Sequence, residues 1–181
     1  MILFSLQNFL VRWRRAACVL AMLPAFAAPA YPVAPESQNY VTKAQRAILI
    51  DAADGSVLFQ HKPDELAPPA SMSKLMTLAV VFRGLKSGQL KTSDEFLMSV
   101  NAWRKGGAPS GTSAMMVPVN TKVTLDELIK GIAIQSGNDA CIAVAEGMSG
   151  SEANFAKAMT EEARRIGLTK STFTNATGLQ D

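Results

Sequence analysis

The sequence predicts a mixed α/β fold of the α+β type, in which a cluster of helices packs on an antiparallel sheet. Near the start, the apolar runs 47–51 and 57–61 flank an Asp-Gly turn, which is the pattern of a β-hairpin. The segments that follow carry the apolar spacing and capping signals of helices. Because a two-stranded hairpin alone is marginal in water, we expect the strands that complete the sheet to follow Asp181.

The first two helices have recognisable ends. Residues 72–86 form an apolar stretch that predicts a helix ending near Gly88. Thr124 and Glu127 have the spacing of a capping box, which predicts the start of the next helix. The polar segment "QSGND" (135–139) interrupts this second helical pattern.

Two further helices and one loop complete the predicted order. An apolar helix is expected over residues 140–148, and Ser149 with Glu152 predicts the cap of a last helix that ends at Gly167. Between the first two helices, residues 104–113 are rich in glycine, serine and proline, which predicts a loop.

Charge is distributed unevenly along the 181 residues, which contain 18 basic and 15 acidic side chains. The first thirty residues contain three arginines and no acid. The remaining residues therefore carry 15 charges of each sign. The basic character belongs to the N-terminus alone, so the composition does not favour a nucleic-acid partner for the rest of the chain.

The N-terminal residues 1–27 have the pattern of a secretory signal peptide. The basic cluster "RWRR" (12–15) precedes the apolar run 16–27, which is followed by small residues. A run of about twelve residues is too short to span a bilayer as a helix, which needs roughly twenty. We expect export and cleavage after Ala27 or Ala30.

The rest of the chain divides into a lead-in and a body. Residues 28–44 are proline-rich and polar, which predicts an exposed segment, and residues 45–181 contain all the predicted strands and helices. Cys18 would be removed with the signal peptide, leaving Cys141 alone. No disulfide within the processed chain is then possible, so its stability must come from its core.

Ser71 and Lys74 stand at the start of the first helix. A Ser-x-x-Lys pair is common by chance, and the simplest alternative is that Ser71 caps the helix while Lys74 is solvated. However, a cation in the first turn faces the positive end of the helix dipole. The segment 75–82 is also apolar on nearly all sides, which predicts a buried helix. Both effects lower the pKa of Lys74, and a neutral amine could take the proton of Ser71.

A second polar group interrupts the apolar helices at "SGND". Ser136 and Asn138 stand on either side of Gly137. A plain helix–helix turn, with Asn138 or Asp139 as the cap of the next helix, is the alternative to a functional role. Neither pair of residues identifies a site when taken alone.

Taken in order, the two motifs resemble those of the penicillin-recognising serine enzymes, which are S-x-x-K, S-[DG]-N and K-T-G. More narrowly, the chain resembles low-molecular-mass penicillin-binding proteins of the D-alanyl-D-alanine carboxypeptidase family. This resemblance implies a β-lactamase/DD-peptidase-like transpeptidase fold. It rests on four stretches: "AILIDAADGSVLF", "PASMSKLMT", "IQSGNDACIAVAE" and "FTNATGL".

The third motif of the family is absent from this chain. The pair Lys91-Thr92 is followed by Ser93 and precedes the second motif, so it does not substitute for K-T-G. Residues 45–181 therefore resemble an incomplete catalytic domain that stops before the later strands. We expect the 181 residues alone to lack measurable carboxypeptidase activity.

The resemblance implies a role for each motif residue. Ser71 would be the nucleophile and its backbone N–H an oxyanion donor, and Lys74 would be the base. Ser136 would relay a proton to the leaving amine, and Asn138 would hold the substrate's peptide amide. The substrates would be peptidoglycan stem peptides ending in D-Ala-D-Ala, and β-lactam antibiotics would acylate Ser71. No metal or cofactor is implied.

The resemblance also implies a location and leaves alternatives open. The exported protein would act in the periplasm or cell envelope, and it would reach the membrane surface only through a C-terminal anchor that this chain does not contain. A D,D-endopeptidase shares the motifs. A class A β-lactamase would need a Glu-x-x-Leu-Asn pattern, which residues 139–181 lack. A truncated, non-catalytic chain is the third alternative. The loop "WRKGGAPSGTS" (103–113) is either a mobile surface loop or part of the site.

Overall fold

The computed structural model describes residues 41–180. The signal peptide at 1–27 and its cleavage sites lie outside these residues, as does most of the lead-in at 28–44. The described chain falls into two compact units, of which the first ends at Glu65 and the second begins at Leu66. Within residues 41–180, no helix has the length and apolar character needed to cross a membrane.

The first unit contains the predicted β-hairpin. Strands β1 (Ala47–Ile50) and β2 (Val57–His61) pair antiparallel, with Ala47 opposite His61. Gly55 has a φ of +78°, the left-handed conformation that glycine adopts without steric cost. The Asp-Gly turn between two apolar runs is thus confirmed.

The second unit is mainly helical and includes a small antiparallel sheet of β3 paired with β4. Its elements, in chain order, are a 3₁₀ helix (Ala70–Ser73), α1 (Lys74–Lys86), β3 (Glu95–Leu97), α2 (Val100–Gly106), a 3₁₀ helix (Ala108–Ser110), β4 (Lys122–Thr124), α3 (Leu125–Gln135), α4 (Asn138–Ser149) and α5 (Glu152–Arg165).

Helix α4 lies at the centre of this unit. Every residue from 138 to 145 is buried, and α4 packs against α2, α3, α5 and β3. Gly147 lets Phe96 of β3 lie against the helix, because a Cβ there would come within 2.2 Å of the ring. The burial of α4 on several sides explains its nearly unbroken apolar sequence, and it gives the start of the helix a well-defined position.

The helix caps only partly follow the sequence prediction. The capping box of Thr124 and Glu127 is confirmed, with both of its reciprocal hydrogen bonds present. The predicted cap of the last helix at Ser149 is wrong, since Ser149 is the final residue of α4. Ser151 caps α5 instead, and its hydroxyl accepts from the N–H of Asn154. Two residues, Gly150 and Ser151, separate the helices, whereas the sequence pattern left only Ser149 between them.

Helix α1 is buried on one face only, which corrects the prediction of burial on nearly all sides. Met76 and Val81 are buried, whereas Leu75 is 72% exposed and Phe82 is 49% exposed. Helices α5 and α3 pack against α1. Met76 and Val81 belong to the buried core, whereas the side of α1 that carries Leu75 and Phe82 is open to solvent.

A buried carboxylate joins α1 to α5. Glu162 is fully buried, and its Oε2 accepts hydrogen bonds from Arg83 Nη1 at 2.9 Å and from Arg165 Nε at 2.8 Å. Bonds from the two guanidinium groups, led by that of Arg165, lower the pKa of Glu162 from 4.5 to about 2. Because the folded pKa is depressed, this contribution to stability is present above pH 4.5 and is lost as the pH falls toward 2.

We expect Glu162→Gln to lower the free energy of unfolding on the order of 2 kcal/mol at pH 7, after allowance for the solvent around both arginines. At pH 3 the loss should be clearly smaller. Urea unfolding at the two pH values measures both quantities. Glu161→Gln, at the exposed neighbouring position, is the matched control and should change stability little. An equal loss at both pH values would contradict the ionic origin of the effect.

Candidate active site

Ser71 and Lys74 are in direct contact at the start of α1. Lys74 Nζ donates a hydrogen bond to Ser71 Oγ at 3.0 Å. Ser71 lies inside the 3₁₀ helix and is exposed, whereas Lys74 is the first residue of α1 and is only 5% exposed. The N-cap position of α1 belongs to Ser73. The alternative in which Ser71 caps the helix and Lys74 is solvated is therefore wrong.

Burial lowers the pKa of Lys74, as predicted from the sequence. The nearby Cys141 would oppose this shift if it were ionised. However, Cys141 is itself fully buried, and burial raises the pKa of its thiol to about 12. The thiol is neutral at ordinary pH and supplies no negative charge to keep the amine protonated. Lys74 is thus suited to accept the proton of the hydroxyl it contacts.

The second motif forms the tight turn between α3 and α4. Ser136 follows α3 in the left-handed conformation, with a φ of +54°, and Gly137 is the N-cap of α4. Neither Asn138 nor Asp139 caps the helix, so that alternative is also wrong. Asn138 begins α4, and Cys141 is buried three positions later on the same helix, near Lys74. The start of α4 therefore lies near the first motif.

The side chain of Asn138 is held in place by its neighbours. Asn138 is 2% exposed, its Nδ2 donates to Thr112 Oγ1 at 2.9 Å and its backbone N–H donates to Ser113 O at 2.8 Å. Its Oδ1 is buried and has no hydrogen-bond partner among the residues that the structure describes. Within residues 41–180, no hydrogen bond joins Ser136 or Asn138 to Ser71 or Lys74. The roles predicted for Ser136 and Asn138 remain predictions.

The loop after α2 lies against this second motif. Helix α2 extends to Gly106, so the first three residues of the predicted 104–113 loop are helical. Asp139 is fully buried, and its carboxylate accepts from the backbone N–H groups of Met115 at 2.9 Å and Met116 at 3.2 Å. These bonds, together with those of Asn138, fasten the loop to the start of α4. They support its assignment to the site over a loop held only at its ends.

Asp139 and Gly106 are structural supports of the site that the sequence reasoning missed. A Cβ at Gly106 would lie 2.4 Å from the backbone nitrogen of Asp139 and 2.5 Å from the carbonyl carbon of Asn138. Only glycine allows α2 to approach α4 so closely. The signal for Asp139 was its charge at the start of an otherwise apolar helix, but its partners lie 23 and 24 residues away. Residues 41–180 hold no group of three or more acidic, histidine or cysteine side chains arranged for a metal ion.

Comparison with known proteins assigns this arrangement to a family. A family model described as D-alanyl-D-alanine carboxypeptidase matches residues 33–181. The chain belongs to the D-alanyl-D-alanine carboxypeptidase family. This confirms the resemblance that the two motifs indicated, and the match covers both motifs, the hairpin and the late "FTNATGL" stretch.

Individual members of the carboxypeptidase family are similar over most of this chain. The D-alanyl-D-alanine carboxypeptidase DacF of Bacillus subtilis is 40% identical over 139 residues, which are 77% of this chain and 34% of that protein. DacC of Escherichia coli is 41% identical over 133 residues, which are 73% of this chain and 33% of that protein. The chain thus spans about a third of the length of these relatives.

A solved family structure confirms the fold class. Penicillin binding protein 5 from Haemophilus influenzae superposes with a TM-score of 0.73 at 34% identity, over 83% of this chain and 42% of that one. The mixture of helices and antiparallel strands seen here is that of the penicillin-binding DD-peptidase fold.

Proposed function

We propose that this protein is a serine-type D-Ala-D-Ala carboxypeptidase that removes the terminal D-alanine of peptidoglycan stem peptides. The observation that carries the proposal is the 3.0 Å contact between exposed Ser71 Oγ and buried Lys74 Nζ. Burial lowers the pKa of Lys74, and this makes its amine a base for the hydroxyl. The names of the DacF and DacC relatives support the same substrate class.

The proposed reaction proceeds through an ester on Ser71. Ser71 Oγ attacks the carbonyl carbon between the two terminal D-alanines while its proton moves to Lys74, and the backbone N–H of Ser71 stabilises the oxyanion. Ser136 relays a proton to the leaving amine, and the terminal D-alanine departs as the carbon–nitrogen bond breaks. Water then hydrolyses the ester and restores the serine.

The buried position of Asn138 sets a condition on substrate binding. Its Nδ2 is engaged by Thr112, whereas its Oδ1 has no partner among residues 41–180 and must become accessible before it can accept the N–H of the substrate's peptide amide. Thr112 lies on the loop after α2, where its hydroxyl also bonds to Ser110 at 2.8 Å. The Nδ2 contact with Thr112 can therefore stay in place while Oδ1 accepts the new bond.

β-Lactams and location complete the proposal. A β-lactam would acylate Ser71 by the same attack, in keeping with the penicillin-binding name of the Haemophilus influenzae relative. The pattern of residues 1–27 supports export to the periplasm or cell envelope, where the removal of D-alanine from stem peptides would serve cell-wall metabolism and cell shape. Contact with the membrane surface would depend on a C-terminal anchor.

Release of D-alanine tests the proposed function. We expect the full-length protein to release D-alanine from a soluble peptide ending in D-Ala-D-Ala and to leave the matched peptide ending in D-Ala-L-Ala intact. A crosslinked dimer of stem peptides, offered in parallel, detects endopeptidase activity, and a chromogenic cephalosporin detects β-lactamase turnover. Cleavage of the dimer alone, or rapid repeated hydrolysis of the cephalosporin, would contradict the carboxypeptidase assignment.

A further inference from the structure

The turn that carries Ser71 begins in an unfavourable backbone conformation. Ala70, the residue before Ser71, has a φ of +49°. For a residue with a Cβ this left-handed conformation costs roughly 1–2 kcal/mol, and it persists only where surrounding contacts hold it. One such contact is local, since Ser73 Oγ donates to Ala70 O at 2.8 Å.

A second group of contacts comes from residues 175–179, which we call the 175–179 loop. Asn175 Oδ1 accepts hydrogen bonds from the backbone N–H groups of Thr177 at 3.1 Å and Gly178 at 2.7 Å. Its Nδ2 donates to Leu179 O at 2.8 Å. One asparagine side chain thereby closes the segment on itself.

Gly178 lets this loop pack directly against the Ala70–Ser73 turn, which carries Ser71. Its φ of +79° suits glycine, and a Cβ at this position would lie 2.0 Å from Ala70 O and 2.1 Å from Ser73 Oγ. Backbone and side chain of the turn therefore leave no room for any other residue. Gly178 thus lies against the same Ala70 carbonyl that accepts the hydrogen bond from Ser73 Oγ.

Thr77 bonds the 175–179 loop to α1, the helix that begins at Lys74. Thr77 follows Lys74 by one turn of α1 and is fully buried, and its hydroxyl donates to Ala176 O at 2.7 Å. Ala176 is fully buried as well. The 175–179 loop is thus bonded to α1 and packed against the turn that precedes α1.

We propose that the 175–179 loop positions the nucleophile. It holds the Ala70–Ser73 turn so that Ser71 Oγ stays within hydrogen-bond reach of Lys74 Nζ. Gly178 and Thr77 are positioning residues in this scheme, since neither needs to touch the substrate. The inference rests on the proposed roles of Ser71 and Lys74. A displacement of about 1 Å would break a contact of 3.0 Å and can reduce a reaction rate on the order of a hundredfold.

The decisive comparison is Thr77→Val against Thr77→Ser. Valine keeps the volume of threonine but removes the hydroxyl, whereas serine keeps the hydroxyl. We expect the rate constant for acylation of the full-length protein by a fluorescent penicillin to fall about tenfold to a hundredfold in Thr77→Val and to stay near wild type in Thr77→Ser. Thr160→Val is the matched control, because its hydroxyl accepts from Phe173 N, which lies outside residues 175–179. Its rate should stay within about twofold, and melting temperatures establish that all variants are folded.

Hydrogen exchange separates this inference from the proposed function, since it needs no penicillin. We expect the amides of residues 72–74 to exchange about tenfold faster in Thr77→Val, and faster still in Gly178→Ala, than in Thr77→Ser and Thr160→Val. Unchanged exchange in Thr77→Val and Gly178→Ala overturns the positioning role, as does equal acylation of Thr77→Val and Thr77→Ser. If the wild-type protein is never acylated, the proposed function is wrong. Faster exchange in Thr77→Val and Gly178→Ala would still support the positioning role of the 175–179 loop.

Discussion

Replacing Ser71 with alanine abolishes covalent labelling of the full-length protein by a fluorescent penicillin. In the proposed reaction the label forms an ester with Ser71 Oγ, and no substitute oxygen remains at that position once the hydroxyl is removed. Labelling is measured by gel fluorescence and by the mass increase of the intact protein. We expect complete loss in Ser71→Ala and full labelling in Ser87→Ala, a control serine at the other end of the same helix.

The structure makes this loss easy to separate from unfolding. Ser71 is exposed, but its hydroxyl is the hydrogen-bond partner of the buried Lys74 amine, so its removal should lower the free energy of unfolding by roughly 1–3 kcal/mol. The melting temperature should therefore fall by only a few degrees, and the variant should stay folded. Labelling that persists in a folded Ser71→Ala variant, with the label mapped to another residue, would refute the assignment of the nucleophile.

Replacing Lys74 with methionine removes the proposed base and keeps much of the side chain's volume. We expect the rate constant for penicillin acylation to fall by about 10³-fold, within the range that general bases contribute. The melting temperature should rise, because the variant no longer buries an amine that burial disfavours in its charged form. Lys86→Met, at the exposed end of α1, is the control and should change neither quantity appreciably. Wild-type acylation in Lys74→Met would exclude Lys74 as the base.

The lowered pKa of Lys74 also predicts how these quantities depend on pH. Acylation should become faster as the pH rises through the pKa of the folded state, because only the neutral amine takes a proton. Between that pKa and 10.5 the unfolded chain binds more protons than the folded one, so stability rises with pH. The stability advantage of Lys74→Met over wild type should therefore shrink as the pH approaches 10.5. Chemical unfolding at pH 7 and pH 10 measures the difference, and an advantage that grows with pH would contradict the direction of the shift.

Local rules of chain geometry were sufficient to predict several parts of this protein. The Asp-Gly turn predicted the hairpin, and Thr124 with Glu127 predicted the start of α3, because both patterns depend on contacts within a few residues. The Ser71–Lys74 contact belongs to the same class, since the two residues are one helical turn apart. The burial of Lys74 was also foreseen, from the apolar sequence that follows it.

Longer-range contacts could not be read from those patterns. The same apolar sequence predicted burial of α1 on nearly all sides, yet Leu75 and Phe82 are exposed, because periodicity reports which residues are apolar and not which faces find a partner. Ser151 replaced Ser149 as the cap of α5, since two serines with similar surroundings compete and the end of α4 decides between them.

The residues of the candidate site could be predicted from residue types and short spacings: a serine, a lysine one turn later, and a Ser-Gly-Asn turn between apolar helices. The residues that hold the site in place could not be predicted in this way. Asp139 fastens a loop whose residues are 23 and 24 positions away, and Gly178 fits against a turn more than a hundred residues before it. A glycine or an aspartate looks the same in a sequence whatever it touches, and only the packed structure shows which carbonyl or N–H group it meets.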